Sequence, residues 1–433
     1  MDDRSCAPPG SATSASSPKP ANETCEVLIV GAGPAGIAAA LTAHAAGRSV
    51  LVIDKARFPR DKCCGDGLTT LAVRELELLG FSPERLAGWK AIDGAWIRSP
   101  SGREVHVPLM GPGIYAAVAP RLEFDNALVE LARHRGIEVR DGHRAIGPID
   151  EGGDGTDEIS IGIEGPAGES RVRARYVIAA DGMWSPIRSQ LGLTPAGYRG
   201  EWHAFRQYVS GVEGSAAERL HVWFEADLLP GYAWSFPLPG GRANLGFGIR
   251  RTAGLSTGEM GRVWRDLITR PHIVDALGSD ATLEGRHSAW PIPARVDTIA
   301  LCHGRVLFVG DAAAATDVLT GEGIGQALLS GRLAAQAITT AGATAPARAR
   351  RIYERSVRHH LVADHKMSAL LGRILTSERA ARGAVRLIDA SGQWGRRNFA
   401  RWMFEDEPRA VAVTPSRWHR QFLARPGAFR SAS

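Results

Sequence analysis

The sequence predicts an α/β fold of the Rossmann type, with an inserted mixed β-sheet and a helical C-terminal region. Three observations predict it. A β-branched run at Glu26–Val30 enters Gly31-Ala-Gly33-Pro-Ala-Gly36 and then an alanine-rich stretch. Between Glu201 and Trp290 several runs alternate apolar and polar residues, as a half-buried sheet requires. Beyond Arg350 the chain reads as helical and basic. With 433 residues, 44% of them hydrophobic, the chain is long enough for two or three domains around a sizeable core.

Taken in order, residues 1–24 are rich in Ser, Ala and Pro, have no apolar signal segment, and read as a disordered tail. Glu26–Val30 reads as a buried strand, Ala35–Ala46 as a helix opening just after Pro34, and Val50–Ile53 as a second strand. That order predicts a parallel pair with a right-handed crossover. Arg121–Arg135 reads as a helix and Ile137–Arg140 as a strand. Glu151–Ser170, with six glycines and six acids, reads as a hairpin or exposed loop. Tyr176–Ala180 and Val306–Val309 are buried-strand patterns, and Gly325–Ala337 is helical. His221–Phe224 and Tyr232–Phe236 belong to the alternating sheet, and Thr339–Arg350 reads as a linker. The expected partition is a discontinuous cofactor domain over 25–90, 115–200 and 300–340. A substrate-binding sheet domain over 91–114 and 201–299 and a helical basic region over 341–433 complete it.

Gly31, Gly33 and Gly36 stand where a dinucleotide turn needs them. The first permits the tight turn, the second lets a pyrophosphate approach the backbone, and the third lets helix and strand pack closely. Ala35 lies in the helix's first turn, whose free N–H groups favour phosphate. Asp54 ends the second strand, 23 residues after Gly31, where a carboxylate accepts hydrogen bonds from a ribose diol. The bland alternative is a helix-opening turn with a surface acid. The motif alone does not separate NAD from FAD.

Composition narrows the classes further. Net charge is +6, and five of the 52 basic residues are lysine. Trp394–Ser433 carries eight arginines against three acids, nearly the whole surplus. No basic run is dense enough for a nucleic-acid arm. A solvated basic tail is the plain reading, and weak attraction to anionic lipid the sharper one. Five cysteines (6, 25, 63, 64 and 302) fit neither a zinc site nor a set of bridges, which suggests a reduced, cytoplasmic protein. Val27–Ala46 has no charged residue, but its glycines and proline favour strand and helix over a membrane span.

Two later segments resemble the FAD-binding aromatic-hydroxylase-like superfamily: Tyr176-Val-Ile-Ala-Ala-Asp181-Gly182, and Val306-Leu-Phe-Val-Gly310-Asp311 followed by Gly321-Glu-Gly323-Ile324-Gly325. The resemblance implies FAD, with Asp311 on the ribityl chain, Gly323 and Ile324 at the pyrimidine edge of the ring, and Asp181 supporting FAD and the nicotinamide approach. It also implies Arg121 beside FAD. Two further segments resemble the geranylgeranyl reductase family, in its bacterial menaquinone-reductase-like branch. They are Lys62-Cys63-Cys64-Gly65-Asp66-Gly67-Leu68-Thr69 and Pro230-Gly-Tyr232-Ala-Trp234-Ser-Phe236-Pro237 with Gly246-Phe-Gly248. Departures are the doubled cysteine, the proline two residues before the tyrosine, and Thr70-Leu71 where that branch favours Pro-Arg.

The implied activity is saturation of C=C bonds in an isoprenoid chain by hydride from reduced FAD. NAD(P)H or another transient donor is the expected reductant, since no second dinucleotide turn follows a strand. On a strand, Tyr232, Trp234 and Phe236 share one face and form an apolar wall for an isoprenoid chain. Ordinary sheet core is the competing reading of that stripe. Cys64 is expected beside the flavin with Gly65 and Gly67, either as proton donor or as small buried filler. The catalytic candidates are Cys64, Tyr232 and Trp234; the pocket adds Phe236, Gly246 and Gly248. A flavin monooxygenase acting on an aromatic or terpenoid molecule is the alternative, and a non-catalytic prenyl-binding escort the non-enzyme one. The expected location is cytoplasmic, the protein being soluble or peripherally bound to a membrane.

Overall fold

The computed structural model describes residues 22–150, 157–251, 257–422 and 424–430. The tail expectation for residues 1–21 lies outside the described residues. Residues 22–24 do not belong to a tail, because strand β1 (Asn22–Val30) already begins there, in parallel register with the strand Gly168–Ala179. Helix α1 (Pro34–Ala45) starts at its proline, whose missing N–H costs nothing in a first turn. It returns the chain to strand β2 (Val50–Asp54), which pairs in parallel with β1, Val27 opposite Val50.

The main sheet has eight strands. The path runs Cys302–His303, Val306–Phe308, Gly168–Ala179, β1, β2 and Glu138–Asp141, with Arg144–Asp150 and Ile159–Gly165 attached through the third strand. Both faces of its centre are covered, so β1 reads as an unbroken apolar run from Val27 to Val30. Of the acidic segment expected as a hairpin or exposed loop, Ile159–Gly165 and Gly168–Ala179 form an antiparallel hairpin, and residues 151–156 lie outside the described residues.

A second, seven-stranded sheet runs Thr282–Ile292, Trp202–Ser210, Arg242–Arg250, Tyr232–Leu238, Leu220–Trp223, Gly94–Arg98 and Glu104–Pro108. Helices Thr257–Leu267 and Pro271–Leu277 cover one face, burying Met260, Trp264 and Ile273 against Ala233, Leu245 and Phe247. The alternation of the strands sends the intervening side chains to the opposite face. A small sheet of Gly67–Leu68, Ala116–Val118 and Lys90–Ile92 lies between the two.

Two expectations for the C-terminal part need correction. The linker is shorter than expected: one helix spans Ile324–Ala341 and the next Pro346–Val357, leaving only residues 342–345 between them. Nor is the basic C-terminus a solvated tail. Arg401 and Arg409 are 1% and 4% exposed. Arg401 bonds Asp406 and the Arg425 carbonyl, and Arg409 pairs with Asp317 and Glu405. Ala428 then bridges to Ile114. Burying guanidinium groups requires partners of this kind, and a charge count along the sequence does not show them.

Candidate active site

The C-terminal tips of β1 and β2 open onto a cavity of about 630 Å³, a volume typical of ligand sites. Gly31, Gly33, Ala35, Asp54, Lys62, Arg121, Asp181, Gly310 and Asp311 line it. Gly31 has φ +108°, and a Cβ there would overlap the Ala180 carbonyl. A Cβ at Gly36 would overlap the Gly31 carbonyl oxygen, so this residue closes helix onto turn. Gly33 differs: the nearest atom to its Cβ position is Arg60 Nη2 at 3.7 Å, and that face is open to the cavity. No side chain caps the α1 N-terminus. The Asp54 carboxylate accepts from Ala32 N (2.7 Å) and Ala56 N (2.8 Å), fixing the turn that it borders.

At the other end, Gly310 adopts φ +57° and donates to Ser330 Oγ at 2.9 Å, and Asp311 follows it at the cavity wall. Lys62 Nζ reaches Asp311 Oδ2 at 2.9 Å, a pairing across 249 residues. Asp181 accepts from Ile187 N at 3.1 Å through Oδ2, while its buried Oδ1 has no partner. Burial pushes its carboxyl up to about 6. Arg121 makes two 2.7 Å bonds to Asp125, which also receives Arg60 Nη1 at 2.9 Å. Gly323 caps the helix that begins at Ile324, and Glu322 Oε1 accepts from Ile324 N at 3.0 Å. These two residues do not line the 630 Å³ cavity.

An elongated, doubly phosphorylated ligand fits this arrangement. The open Gly33 face, the uncapped helix N-terminus and the orphaned Asp181 oxygen all await a polar partner, which FAD supplies at strand tips of this kind.

Cys63 lines the cavity, and the loop that follows it turns away to meet the second sheet. Ring centroids of Tyr232, Trp234 and Phe236 lie 6.0 and 6.1 Å apart in succession, a ladder on one face of their strand. Phe236 lies 2.9 Å from a Cβ built at Gly67, and Trp234 lies 3.5 Å from one at Gly65. Gly246 makes room for the Trp234 indole in the same way; Gly248 leaves that ring 3.9 Å from its Cβ position. In this structure these glycines accommodate aromatic rings. The Tyr232 hydroxyl donates to the Thr320 carbonyl. Cys64 is half-buried, and desolvation raises its pKa, so the sulfur holds its proton; Cys63 is pushed up to about 12 for the same reason. Neither cysteine is in a disulfide.

Sequence reasoning missed the residues that fix this loop. Tyr208 donates to Asp66 Oδ2 at 2.7 Å, Asn244 donates to the same oxygen at 2.8 Å, and Arg206 binds Asp61 at 2.5 Å. Desolvation pushes the Asp66 carboxyl up to about 6. No local signal marks Tyr208 or Asn244, because their partners lie more than a hundred residues away.

The family described as FAD binding domain matches residues 24–338. The menaquinone reductase of Mycobacterium tuberculosis strain H37Rv is 36% identical over 339 residues, spanning 73% of this chain and 76% of that protein. Digeranylgeranylglycerophospholipid reductase 2 of Methanopyrus kandleri is 33% identical over 323 residues, 72% of this chain and 76% of that protein. In fold, the chain is similar to a geranylgeranyl bacteriochlorophyll reductase-like protein from Thermoplasma acidophilum. Its crystal structure gives a TM-score of 0.76 at 24% identity and covers 92% of this chain and all of that one. A dinucleotide turn, two acid-bearing strand tips and an aromatic ladder against a Cys-Gly-Asp-Gly loop thus coincide with relatives at this level of identity, and the chain belongs to the FAD-binding-domain family, within its geranylgeranyl reductase group of flavin-dependent oxidoreductases.

Proposed function

We propose that this protein saturates C=C bonds of an isoprenoid chain borne by a quinone or lipid. The observation that carries the reading is the ladder of Tyr232, Trp234 and Phe236 packed on the Cys64–Gly67 loop, whose other end walls the cofactor cavity. The names of the menaquinone and digeranylgeranylglycerophospholipid reductases support the substrate class.

Bound FAD, once reduced by NAD(P)H or another transient donor, supplies hydride. The chain's residues supply placement and environment. Gly31, Gly33, Ala35, Gly36 and the α1 N-terminus would hold the pyrophosphate, Asp54 the ribose, and Asp311 the ribityl chain. Gly323 and Ile324 would border the ring's pyrimidine edge, the Ile324 N–H being held by Glu322, with Arg121 and Asp181 flanking the cofactor. The aromatic ladder excludes water and stabilises positive charge developing at an alkene carbon through its π faces. Cys64 holds a proton at Sγ, and Glu322 holds one on its carboxyl, pushed up to about 8 by burial and by Glu405. Both groups lie within electrostatic reach of Tyr232.

The partner is a lipid or lipid-like small molecule, and contact with an anionic membrane surface would deliver it. Among the described residues, no helix is long and apolar enough to cross a membrane. The C-terminal region does expose Leu387 (73%), Trp394 (76%) and Trp418 (61%), in a segment rich in arginine. Co-sedimentation with anionic vesicles, lost when Trp394 and Trp418 become Ser, tests that contact.

The activity test uses the yellow holoprotein, a reduced donor and an unsaturated isoprenoid quinone without oxygen. The expected product gains two hydrogens per reduced bond by mass spectrometry. A product gaining oxygen, formed only in air, would instead establish the monooxygenase reading.

A further inference from the structure

Two cross-strand rows of the second sheet grip the cysteine loop. In one row Tyr208, Asn244 and Phe236 are in register on adjacent strands; in the next, Arg206, Gly246 and Trp234 are in register. In-register neighbours lie about 5 Å apart and share a face, so each row acts on the loop as a unit. Asn244 is the centre of the first row. Its Nδ2 donates to the Cys64 carbonyl (2.8 Å) and to Asp66 Oδ2 (2.8 Å), and its Oδ1 accepts from Trp234 Nε1 (3.2 Å).

The orientation of this amide is fixed chemically. An indole N–H can only donate and a backbone carbonyl can only accept, so oxygen must face Trp234 and nitrogen must face Cys64. Asn244 is fully buried, and both its amide hydrogens are used. The loop that it holds is backbone-strained, with Asp66 at φ +65°, a conformation that L side chains rarely adopt. Tyr208 and Asn244 both donate to its Oδ2 and tie it to the sheet in that conformation.

We propose that Asn244 is a positioning residue that locks the Cys64–Asp66 loop to the Trp234 indole and thereby sets the distance between the thiol and the aromatic wall. The proposal rests on the reading that Cys64 and Trp234 border the substrate. One side chain then orients both at once, and a substitution at Asn244 releases them together. Leu245, its neighbour on the same strand, points into the core behind the sheet and touches neither.

The test compares Asn244→Leu with Leu245→Ala in the FAD-loaded enzyme. Cys64 alkylation is followed by peptide mass mapping, and kcat and KM are measured with an isoprenoid quinone. In Asn244→Leu, with FAD content unchanged, Cys64 alkylation is expected to rise about tenfold, the loop having lost two hydrogen bonds. Its kcat is expected to fall about a hundredfold with KM changed far less, as misplacement of reacting groups predicts. Leu245→Ala, though it loses thermal stability, should leave the alkylation rate and kcat near wild type. Should Asn244→Leu not fold, Asn244→Ser, which cannot span all three partners, is read by the same measurements. Wild-type alkylation and kcat in the folded Asn244 variant would overturn the proposal, as would Leu245→Ala reproducing both changes. If the wild type itself turns over no isoprenoid, the function reading fails, while the alkylation arm still decides whether Asn244 locks the loop.

Discussion

Two glycine-bearing turns, one lining the cavity and one leading away from it beyond Cys63, are built on different principles. In Gly31–Gly36 the glycines meet backbone: a Cβ at Gly31 or Gly36 would overlap a carbonyl oxygen, while Gly33 faces open space. In Gly65–Gly67 they meet rings, Trp234 and Phe236, which arrive from a strand far along the chain. The first turn closes on backbone, Gly36 against its own strand–helix unit and Gly31 against Ala180 at the tip of the neighbouring strand. The second is braced by the second sheet on its ring side and by Ala116–Val118, which pairs with Gly67–Leu68, on the other. A backbone-built turn keeps one geometry, whereas a ring-built turn ties the cysteine loop to the second sheet.

Gly36→Ala is the harshest way to break the first turn. Its Cβ would overlap a carbonyl within the same tight unit, where neither side can give, and overpacking of this sort costs about 3 kcal/mol or more. Loss of the folded, yellow protein on purification is the expected outcome. A stable Gly36→Ala protein that retains FAD would show that helix and turn can separate, and would remove the contrast.

Asp66 sharpens the comparison through pH. Its folded-state value of about 6 lies above the ordinary 3.8. Between those values the native state binds more protons than the unfolded chain, so stability falls as pH rises through the window and levels off above about 6. A shift of that size corresponds to at most about 3 kcal/mol. Asp66→Asn lacks this titration. Its melting temperature, subtracted from neither side of the window alone but compared with wild type at each pH, should improve steadily from pH ~4 to ~6 and then run parallel. A constant offset across that range would mean that the folded loop leaves the carboxyl titrating as it does in the unfolded chain.

Gly246→Ala attacks the ring-built side. Its Cβ would overlap both the Phe205 carbonyl and the Trp234 ring. A loss of about 2 kcal/mol is expected from strand displacement, together with a shift in tryptophan emission. FAD content should stay at the wild-type level, because the strand-tip turn is untouched. Loss of FAD at equal thermal stability would instead place that strand against the cofactor directly.

The same contrast explains what could be read from the sequence. The turn at Gly31–Gly36, the acid at Asp54 and the later strand tips at Asp181 and Asp311 are encoded by spacing within short segments, and the cavity brings them together. The shared face of Tyr232, Trp234 and Phe236 follows from strand alternation alone. What the rings rest on does not, because it depends on the register between strands distant in sequence. Lys62 with Asp311, Arg206 with Asp61 and Asn244 with Cys64 are pairings of that kind. The burial of the basic C-terminus is not legible in the sequence for a related reason. Counting its arginines leaves out Asp317, contributed by a separate segment, which pairs with the buried Arg409.

Gly33→Ala has the smallest effect on stability, and it separates folding from binding. Gly33 has ordinary backbone angles, φ −75° and ψ −177°, so alanine is not strained there. The nearest atom to the new Cβ is the end of the flexible Arg60 side chain, 3.7 Å away, so nothing in the protein needs to move. Restricting the unfolded chain should even stabilise the FAD-free protein, by about 0.5 kcal/mol. The methyl group would nevertheless stand in the open face through which a pyrophosphate approaches the backbone. The expected result is therefore an apoprotein melting at or slightly above the wild-type temperature, with FAD that dissociates on gel filtration. If Gly33→Ala keeps its FAD as firmly as wild type, the phosphates do not pass over that residue, and the strand-tip turn serves packing alone.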